Sequence, residues 1–389
     1  MATDVSDAMR EFFSVTVIDR AELSSSTVWS STFADERKDH RYYEIIEDTL
    51  REGFDYKYFA IRDAAGRIRA IQPFFLIDQD ILEGITPERR RWASFIRRIW
   101  PRFLKLRTLM VGCSAGEGHL AYADDLPAAV VAQVLSHGIM THAKMLGAGL
   151  VVLKEFPAAE RDALECFLKA GFCRVPSMPM TMLNIDYDNF DAYAAKAMSR
   201  NSRSQFRRKL RAVQGEHIQM SVTHDVTGLL DEIYPLYLQV YERSSLHFEK
   251  LTRDYFRLLG ERMKDKVVFH LWRRGNRLVA FSMCMAQGDL LVSEYLGFDY
   301  AVALDLRLYH SVARDLIAWS IERGYKRIGS SGLNYDPKLR MGHRLDPIDL
   351  YVRHVSPLVN TAFRAILPWL QPVRYDATLK KFPNYRDLW

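Results

Sequence analysis

One carboxylate stands inside a strand that is otherwise largely apolar. The segment LLVSEYLGF, residues 290–298, has the character of a β-strand, in which successive side chains alternate, so Glu294 and Tyr295 point to opposite faces of a sheet. An acid within such a strand is uncommon, since acidic side chains are rarely buried unless they are paired. Glu294 is therefore the candidate base, accepting a proton directly or through a water molecule.

Three further side chains that can transfer protons follow Glu294 in the chain. Tyr309 and His310 lie on the next predicted helix, where adjacent residues diverge by about 100° and so cannot face one cleft equally. His343 follows a Met-Gly step. Because a histidine titrates near neutral pH, it can donate or accept a proton. Together with Glu294 these residues form the candidate catalytic set.

The composition excludes several classes of protein. The chain has 389 residues, enough for two or three domains, with 48% hydrophobic and 26% charged residues, which indicates a folded globular protein. The first 20 residues do not resemble a signal peptide, and no apolar stretch reaches the roughly 18 residues of a membrane span. The four cysteines form no CxxC pair and no metal-ligand spacing with the histidines, so we expect buried, reduced thiols and no metal.

The net charge of +6 is concentrated in two segments without acids. An insertion near residues 86–107 contains Arg89–Arg107, whose aromatic and aliphatic residues recur at helical spacing, which predicts a cationic amphipathic helix interrupted at Pro101. Such a helix either contacts an anionic membrane surface or covers its own core with a solvated basic face. The predicted membrane contacts are Trp92, Arg97, Arg98 and Trp100. The second segment, Arg200–Arg211, also predicts a helix.

The two halves of the chain repeat one plan. Residues 59–77 and residues 269–286 each predict a β-hairpin, and each hairpin is followed by a strand, a long helix, a further strand, a helix and a final strand. The final strands are PMTMLNI and IDLYVRH. His343 stands where Phe172 stands in the first half. A polar residue in place of an apolar one suggests that this position has a function in the second half.

This repetition predicts an α/β protein of two pseudo-symmetric units, each a mixed sheet flanked by helices. The join is expected between Asp186 and Gly215, which gives an N-terminal half at residues 1–186 and a C-terminal, catalytic half at residues 187–389.

An ordered set of segments carries a family resemblance. It comprises GFCRVPSMPMTMLNIDY, the basic segment SRNSRSQFRRKLR, the segment YPLYLQVYERSSLHFEKLTRDYF, SEYLGFDY and GLNYDPKLRMGHRLDPIDLYVRHV. Between about Gly147 and Ser356 the chain resembles the tandem GNAT-like proteins that include the Fem-type peptidoglycan aminoacyltransferases. The resemblance implies two fused GNAT-like units and an amide-forming acyl transfer in the second half.

In GNAT-like proteins two central strands splay apart so that a backbone amide reaches the carbonyl of the acyl donor. The resemblance places this feature at residues 290–298. By the same analogy it implies donor-binding residues, which are Arg307, Asn334, Tyr335, Lys338 and Arg340. The implied acceptor-binding residues are His247, Phe248, Glu249 and Tyr295.

The segment after residue 298 departs from the GNAT pattern. A glycine-rich loop that holds the pyrophosphate of coenzyme A is expected there, but Asp299–Leu304 has no glycine. An acyl thioester on acyl carrier protein fits this segment better than acyl-CoA, and aminoacyl-tRNA fits it equally. In the first half, Gly112–His119 is a glycine-rich segment at the matching place. It is interpreted as a turn, a vestigial donor loop or part of a cleft.

The bacterial ceramide synthases, which resemble this group, suggest a specific function: transfer of a fatty acyl group from a thioester to a sphingoid base or another long-chain amine. This hypothesis implies no permanently bound cofactor, no DNA partner and a cytoplasmic protein that lies on the inner membrane surface. The alternatives are Fem-like aminoacyl transfer from tRNA to a cell-wall precursor, and a non-catalytic protein that binds membrane or nucleic acid.

Overall fold

The described part of the chain forms two compact units. The computed structural model describes residues 12–23, 26–80, 105–122, 126–244, 248–369 and 371–389. The first unit consists of the described residues within Met1–Ala34, Lys38–Ser177 and Ile348–Arg374. The second consists of those within Asp35–Arg37, Met178–Pro347 and Tyr375–Trp389.

Strands and helices alternate along both units. In the described residues the strands are β1 (Phe13–Ile18), β2 (Phe54–Asp63), β3 (Ile68–Asp80), β4 (Lys105–Val111), β5 (Leu150–Pro157), β6 (Cys173–Pro176), β7 (Met180–Asn184), β8 (Ile218–Thr223), β9 (Val267–Arg274), β10 (Arg277–Gln287), β11 (Leu290–Phe298), β12 (Arg327–Ser330), β13 (Arg344–Asp346) and β14 (Ile348–His354). The helices are α1 (Arg20–Leu23), α2 (Thr27–Ser31), α3 (His40–Thr49), α4 (Ala128–Met145), α5 (Glu165–Lys169), α6 (Phe190–Ala197), α7 (Arg200–Arg211), α8 (Leu230–Arg243), α9 (Arg253–Arg262), α10 (Leu308–Glu322), α11 (Tyr335–Arg340) and α12 (Pro357–Ile366).

Each unit contains a mixed sheet of seven described strands, and the two sheets follow the same plan. The first sheet has the order β1-β2-β3-β4-β5-β14-β6, and the second has the order β8-β9-β10-β11-β12-β7-β13 when read from the corresponding edge. In each sheet the fourth and fifth strands are parallel and the other described neighbours are antiparallel. The predicted fold of two related α/β units is confirmed.

The predicted final strands of the two halves are exchanged between the sheets. Strand β7, assigned above to the first half, pairs in the second sheet, and β14, assigned to the second half, pairs in the first. A boundary at residue 186 is therefore wrong, because the units divide near Met178 and again near Pro347. Prolines explain the difference: Pro176, Pro179 and Pro347 interrupt the connections, and a proline favours an extended residue before it, so the chain continues instead of closing a hairpin.

A long amphipathic helix covers each sheet. Helix α4 buries Val131, Leu135 and Ile139, spaced by four residues, in a core that contains Phe59 and Leu109. Helix α10 places Leu308, Val312 and Leu316 against its own sheet in the same way. In each unit the helix and the sheet thereby form a packed core that supports the parallel strand pair.

The predicted hairpins are present, and their turns have a local cause. Between β2 and β3 the Asp63 carboxylate accepts hydrogen bonds from the backbone amides of Ala65 and Arg67, and Gly66 has a φ of +78°. A left-handed residue at this point of the turn favours glycine.

Part of the predicted amphipathic helix is a strand. Residues 105–107, its C-terminal end, belong to β4 and pair with residues 78–80 of β3. The extended pairing of β4 with β3 outweighs the helical periodicity of the sequence there. The remaining predicted membrane contacts, Trp92, Arg97, Arg98 and Trp100, lie outside the described residues. Among the residues that are described, none of the helices has the length and apolar character needed to cross a membrane.

Candidate active site

Glu294 lies at an irregularity in β11. Along the antiparallel pair with β10, Tyr295 is opposite Met283. The preceding residue, Ser293, is opposite Cys284, which leaves Glu294 as an extra residue in its strand. Such a β-bulge bends the strand and re-aims a side chain, and bulges are frequent beside active sites.

Strands β11 and β12 separate next to this bulge. They are paired in parallel as far as Ser293 and Ser330. Strand β12 ends at Ser330, whereas β11 continues to Phe298. The parallel pairing of β11 with β12 therefore ends directly before Glu294, at the place where the resemblance predicts that the two strands splay apart.

A cation that the sequence analysis missed is paired with Glu294. The Nε atom of Arg37 donates to the Oε1 atom of Glu294 at 2.6 Å, and each side chain is 6% exposed. Charge-assisted contacts of this kind are short, and a buried carboxylate is tolerated when it is paired. The two residues are 257 positions apart in the chain, so no local pattern in the sequence could have indicated the contact.

Tyr295 follows the bulged residue and contacts one predicted acceptor residue. Its hydroxyl donates to the Oε1 atom of Glu249 at 3.0 Å, and its ring packs edge-on against Tyr237 and Tyr255. Burial, followed by the negative charge of Glu249, raises the pKa of Tyr295 well above its usual value, so the phenol remains protonated. Phe248 is half-buried next to Glu249. His247 lies outside the described residues.

Tyr309 and His310 lie in the first turn of α10, as predicted, but His310 faces the basic helix α7. Its Nε2 atom is 3.0 Å from the Nζ atom of Lys209, and its ring packs against Phe206. Burial, together with Lys209 and Arg307, lowers the pKa of His310 to about 4, so it is neutral near pH 7. Burial also raises the pKa of Tyr309. At neutral pH, His310 is therefore not the proton donor that the sequence suggested.

Helix α11 brings two of the predicted residues together in a buried place. Lys338 donates to the backbone carbonyl of Ser331, and burial lowers its pKa to about 8. His343 is also buried, and its Nδ1 atom has no hydrogen-bond partner in the structure. Burial and the nearby Lys338 lower the pKa of His343 to about 3, which keeps the imidazole neutral.

The remaining donor-site candidates surround the start of α11. The hydroxyl of Tyr335 donates to the carbonyl of Pro179 at 2.8 Å in a buried contact. Asn334 precedes the helix with a φ of +49°, directly after Leu333 with a φ of +73°. Two successive left-handed residues make a sharply turned connection, and such strained backbone is frequent at functional sites. Arg340 points outward and pairs with Asp336.

The segment without glycines closes on itself after β11. The Asp299 carboxylate accepts a hydrogen bond from the backbone amide of Ala301 and pairs with Arg277. The backbone amide of Tyr300 donates to the side chain of Gln239. Arg307 is exposed at the N-terminus of α10 with a φ of +47°. These contacts use backbone amides that a pyrophosphate-binding loop would present to its ligand.

In the first unit, the glycine-rich run occupies the corresponding place. Strand β4 ends at Val111, and the following loop folds onto β5, where the amide of Gly118 donates to the carbonyl of Lys154. Within this loop Glu117 forms an ion pair with Lys38 at 2.8 Å, and both side chains are almost completely buried. The run is therefore a packed loop, which agrees best with the interpretation as a turn.

The cysteines are free thiols, but burial differs among them. Cys113 and Cys284 are buried, whereas Cys166 and Cys173 are partly exposed, so the expectation of burial is correct for two of the four. Burial raises the pKa of Cys284 to about 12 and that of Cys113 to about 11, which leaves both as neutral thiols. Within the described ranges, no three His, Cys, Asp or Glu side chains are arranged to hold a metal ion.

Comparison with known proteins gives a family and a fold. The model of the FemAB-like family, described as peptidoglycan biosynthesis/recognition, matches residues 29–366. A search of curated protein sequences returns no match.

Solved structures similar to this chain include FemX, at 11% identity and a TM-score of 0.50, with 86% of this chain and 96% of that chain covered. A protein of unknown function from Bacteroides thetaiotaomicron is 12% identical, with a TM-score of 0.51 and coverage of 87% of this chain and 98% of that one. A tandem GNAT protein from the clavulanic acid biosynthesis pathway is 11% identical, with a TM-score of 0.49 and coverage of 89% and 99%. At these identities a likeness indicates the fold alone.

Proposed function

The chain belongs to the FemAB-like family of peptidoglycan biosynthesis and recognition proteins, and from this premise we propose that its second unit forms amide bonds by acyl transfer to an amine. The observation that carries the proposal is the bulged Glu294 beside the separation of β11 from β12. Amine acylation needs a nitrogen that has lost its ammonium proton and a polarised carbonyl. The carboxylate accepts the proton, and backbone amides of β11 beyond the bulge polarise the carbonyl.

Lys338 suits the departure of the leaving group better than the histidines do. With a pKa lowered to about 8 by burial, it is protonated at neutral pH and close to its titration point, which is the condition for efficient proton transfer. His343 and His310, whose pKa values burial lowers to about 3 and 4, are already neutral there. Tyr335 and Asn334 are the proposed donor contacts beside Lys338.

We favour an aminoacyl ester of tRNA as the donor and an amine of a cell-wall precursor as the acceptor. The family description supports this choice. Helix α7 supports it as well, because it has six basic residues and no acid over Arg200–Arg211 and exposes several of them near the start of α10. Phosphate contacts require only such cations. The acceptor then lies near Tyr295, Glu249, Phe248 and His247.

A second candidate function is the transfer of a fatty acyl group from acyl-CoA or acyl carrier protein to a long-chain amine such as a sphingoid base. The observation in its favour is an exposed apolar strip on and after α12 of the first unit. Leu358 is 86% exposed, Trp369 is 74% exposed and Ile366 is also exposed. Surfaces of this kind insert at the boundary of lipid headgroups and acyl chains. This function predicts flotation of the protein with anionic vesicles and a peripheral position on the cytoplasmic membrane face.

One assay separates the two candidates. Purified protein is incubated with charged tRNA and a nucleotide-linked muramoyl pentapeptide, and in parallel with palmitoyl-CoA and sphinganine, with product mass as the readout. The favoured function predicts a precursor extended by one aminoacyl group, and loss of that product after ribonuclease treatment. An N-acylated sphinganine identifies the second candidate. Hydrolysis without amide formation in both arms contradicts the proposal.

Substitution of the candidate base tests the site itself. Glu294→Gln should lower kcat by about 10²- to 10⁴-fold, because the amide cannot accept the ammonium proton. Glu322→Gln, an exposed position on α10, is the matched control and should leave kcat unchanged. Equal kcat values of Glu294→Gln and wild type would show that Glu294 is not the base of the reaction.

A further inference from the structure

Three residues before α3 belong to the second unit by their contacts. Residues Asp35–Arg37 group with the second sheet, although the residues on either side group with the first unit. The Nε2 atom of Gln287, at the end of β10, donates to a carboxylate oxygen of Glu36 at 2.8 Å. Lys266, just before β9, donates to the backbone carbonyl of the same residue. Glu36 is therefore fixed against two neighbouring strands through both its side chain and its backbone.

Because Glu36 is anchored in this way, the next residue, Arg37, lies beside Glu294. The guanidinium Nε is 2.6 Å from the carboxylate, within an almost completely buried pair. A buried acid without a counter-charge would take up a proton and remain neutral, and a neutral acid cannot accept another proton. Other titratable groups that interact electrostatically with Glu294 include Cys284 on β10 and Tyr295 on β11. Burial raises the pKa of both, so neither supplies a charge that replaces Arg37.

We propose that Arg37 is the positioning residue of the amide-forming site: it holds the Glu294 carboxylate ionised and fixed at the β-bulge, and it does so because Glu36 is anchored to Gln287 and Lys266. This inference rests on the proposed function. Glu294 takes one proton from the substrate ammonium, and the free amine then attacks the carbonyl. The new carbon–nitrogen bond forms, the bond to the leaving oxygen or sulfur breaks as Lys338 gives that atom a proton, and the second proton of the nitrogen goes to the lysine amine so formed.

The guanidinium has two opposite effects on this step. It stabilises the ionised carboxylate, and it also weakens that carboxylate as a base. The first effect dominates. Without the cation, the buried acid would be protonated over much of the neutral range, whereas a paired carboxylate is available as a base in every molecule. The pairing also fixes the carboxylate in one orientation, and misplacement by about 1 Å can lower a rate about 100-fold.

The test compares Arg37→Met, Arg37→Lys, Glu294→Gln and the double variant Arg37→Met/Glu294→Gln across pH, with whichever donor and amine pair gives product in the assay above. Arg37→Met should lower kcat by about tenfold to 100-fold. It should also move the acid limb of the kcat profile upward by about one pH unit or more. Arg37→Lys should restore part of both changes. The double variant should be no slower than Glu294→Gln alone, since Arg37 acts through Glu294. Arg257→Met, which changes a partly exposed arginine of α9 that pairs with Asp254, is the matched control.

A lower rate for Arg37→Met without a shifted acid limb, or a double variant markedly slower than Glu294→Gln, would overturn the inference while leaving the proposed function intact. Full activity of Glu294→Gln would show that Glu294 is not the base, whereas absence of amide product from the wild type would overturn the proposed function itself.

Measurement of the Tm needs no substrate and therefore tests the inference even where a variant has little activity. Relative to wild type, the Tm of Arg37→Met should fall as the pH rises from 5 to 8, because the unpaired buried acid retains its proton in the folded chain while the unfolded chain releases it. This pH dependence should disappear in the double variant. A constant difference in Tm across this range in both variants would contradict the inference.

Discussion

The two units share a strand order and differ at the end of the parallel strand pair. In the first unit β4 stops at Val111, and the loop from Gly112 to His119 packs onto β5 with the ion pair of Lys38 and Glu117 inside it. In the second unit β11 runs past the end of β12 and carries the bulged Glu294.

Both units bury a basic residue against a glutamate at this place, and the basic residues are consecutive in sequence. Lys38 pairs with Glu117 in the first unit, and Arg37 pairs with Glu294 in the second. The first pair lies within a packed loop, where no substrate can approach without displacing the loop. The second lies where two strands have separated. The same kind of ion pair is therefore expected to serve stability in the first unit and chemistry in the second.

The largest effect on this comparison should come from removing the cation of the first unit. Lys38→Met leaves the carboxylate of Glu117 without its ammonium partner in a buried loop, and breaking a buried pair in this way typically costs about 3–5 kcal/mol of unfolding free energy. Urea titration of the full chain measures the loss. The activity per folded molecule should remain that of the wild type.

Two variants control this prediction. Lys38→Met/Glu117→Gln should recover part of the stability, because no unpaired charge remains buried. Lys169→Met removes an exposed pair with Glu165 and should change the free energy by less than about 0.5 kcal/mol. A comparable change in Lys38→Met and Lys169→Met would show that the loop of the first unit is not held by its ion pair.

The sequence predicted the features that depend on local patterns. The paired hairpins, the strand at residues 290–298 and the exceptional carboxylate of Glu294 each have a signal within a few residues. Hydrophobic alternation and capping chemistry are properties of short segments, so a single sequence is enough to recognise them.

The remaining features depend on contacts between distant segments. The exchange of β7 and β14 is decided by pairing across more than 140 residues, and three prolines are its only local trace. Arg37 could not be recognised because nothing near it in the sequence indicates a carboxylate partner. The neutral state of His310 depends on burial and on Lys209 of another helix. In each case the decisive neighbour is distant in the sequence.

The second unit also contains a buried lysine, Lys338, whose surroundings differ from those of Lys38. Lys338 is buried like Lys38, but it donates to the backbone carbonyl of Ser331, and burial lowers its pKa to about 8 from an ordinary value of 10.5. Between pH 8 and 10.5 the unfolded chain therefore holds more protons at this residue than the folded chain. Stability should rise with pH in this window by about 3 kcal/mol for this group.

Lys338→Met removes the titrating group, so its unfolding free energy relative to wild type should decline steadily from pH 8 to pH 10.5. Urea titrations at four pH values measure this trend, with the exposed Lys264→Met as the control. If the difference between Lys338→Met and wild type does not change with pH, Lys338 is not buried as a cation in the second unit, and the contrast with Lys38 is lost.

The smallest effect tests whether the loop of the first unit is as tightly packed as the comparison requires. Gly116 has a φ of +109°, and a β-carbon built there would lie 2.0 Å from the Nζ atom of Lys38. Gly116→Ala should therefore cost about 1–3 kcal/mol, from backbone strain and from displacement of the lysine out of its ion pair. Gly66→Ala, with a φ of +78° and no atom within 4 Å of the added carbon, measures the strain alone.

Because the clash is with Lys38, the cost of Gly116→Ala should shrink toward that of Gly66→Ala in the Lys38→Met background, where the shorter methionine leaves room for the added carbon. Equal costs of Gly116→Ala in both backgrounds would mean that the loop yields without disturbing the ion pair, and the first unit would then have space at the place where the second unit carries its site.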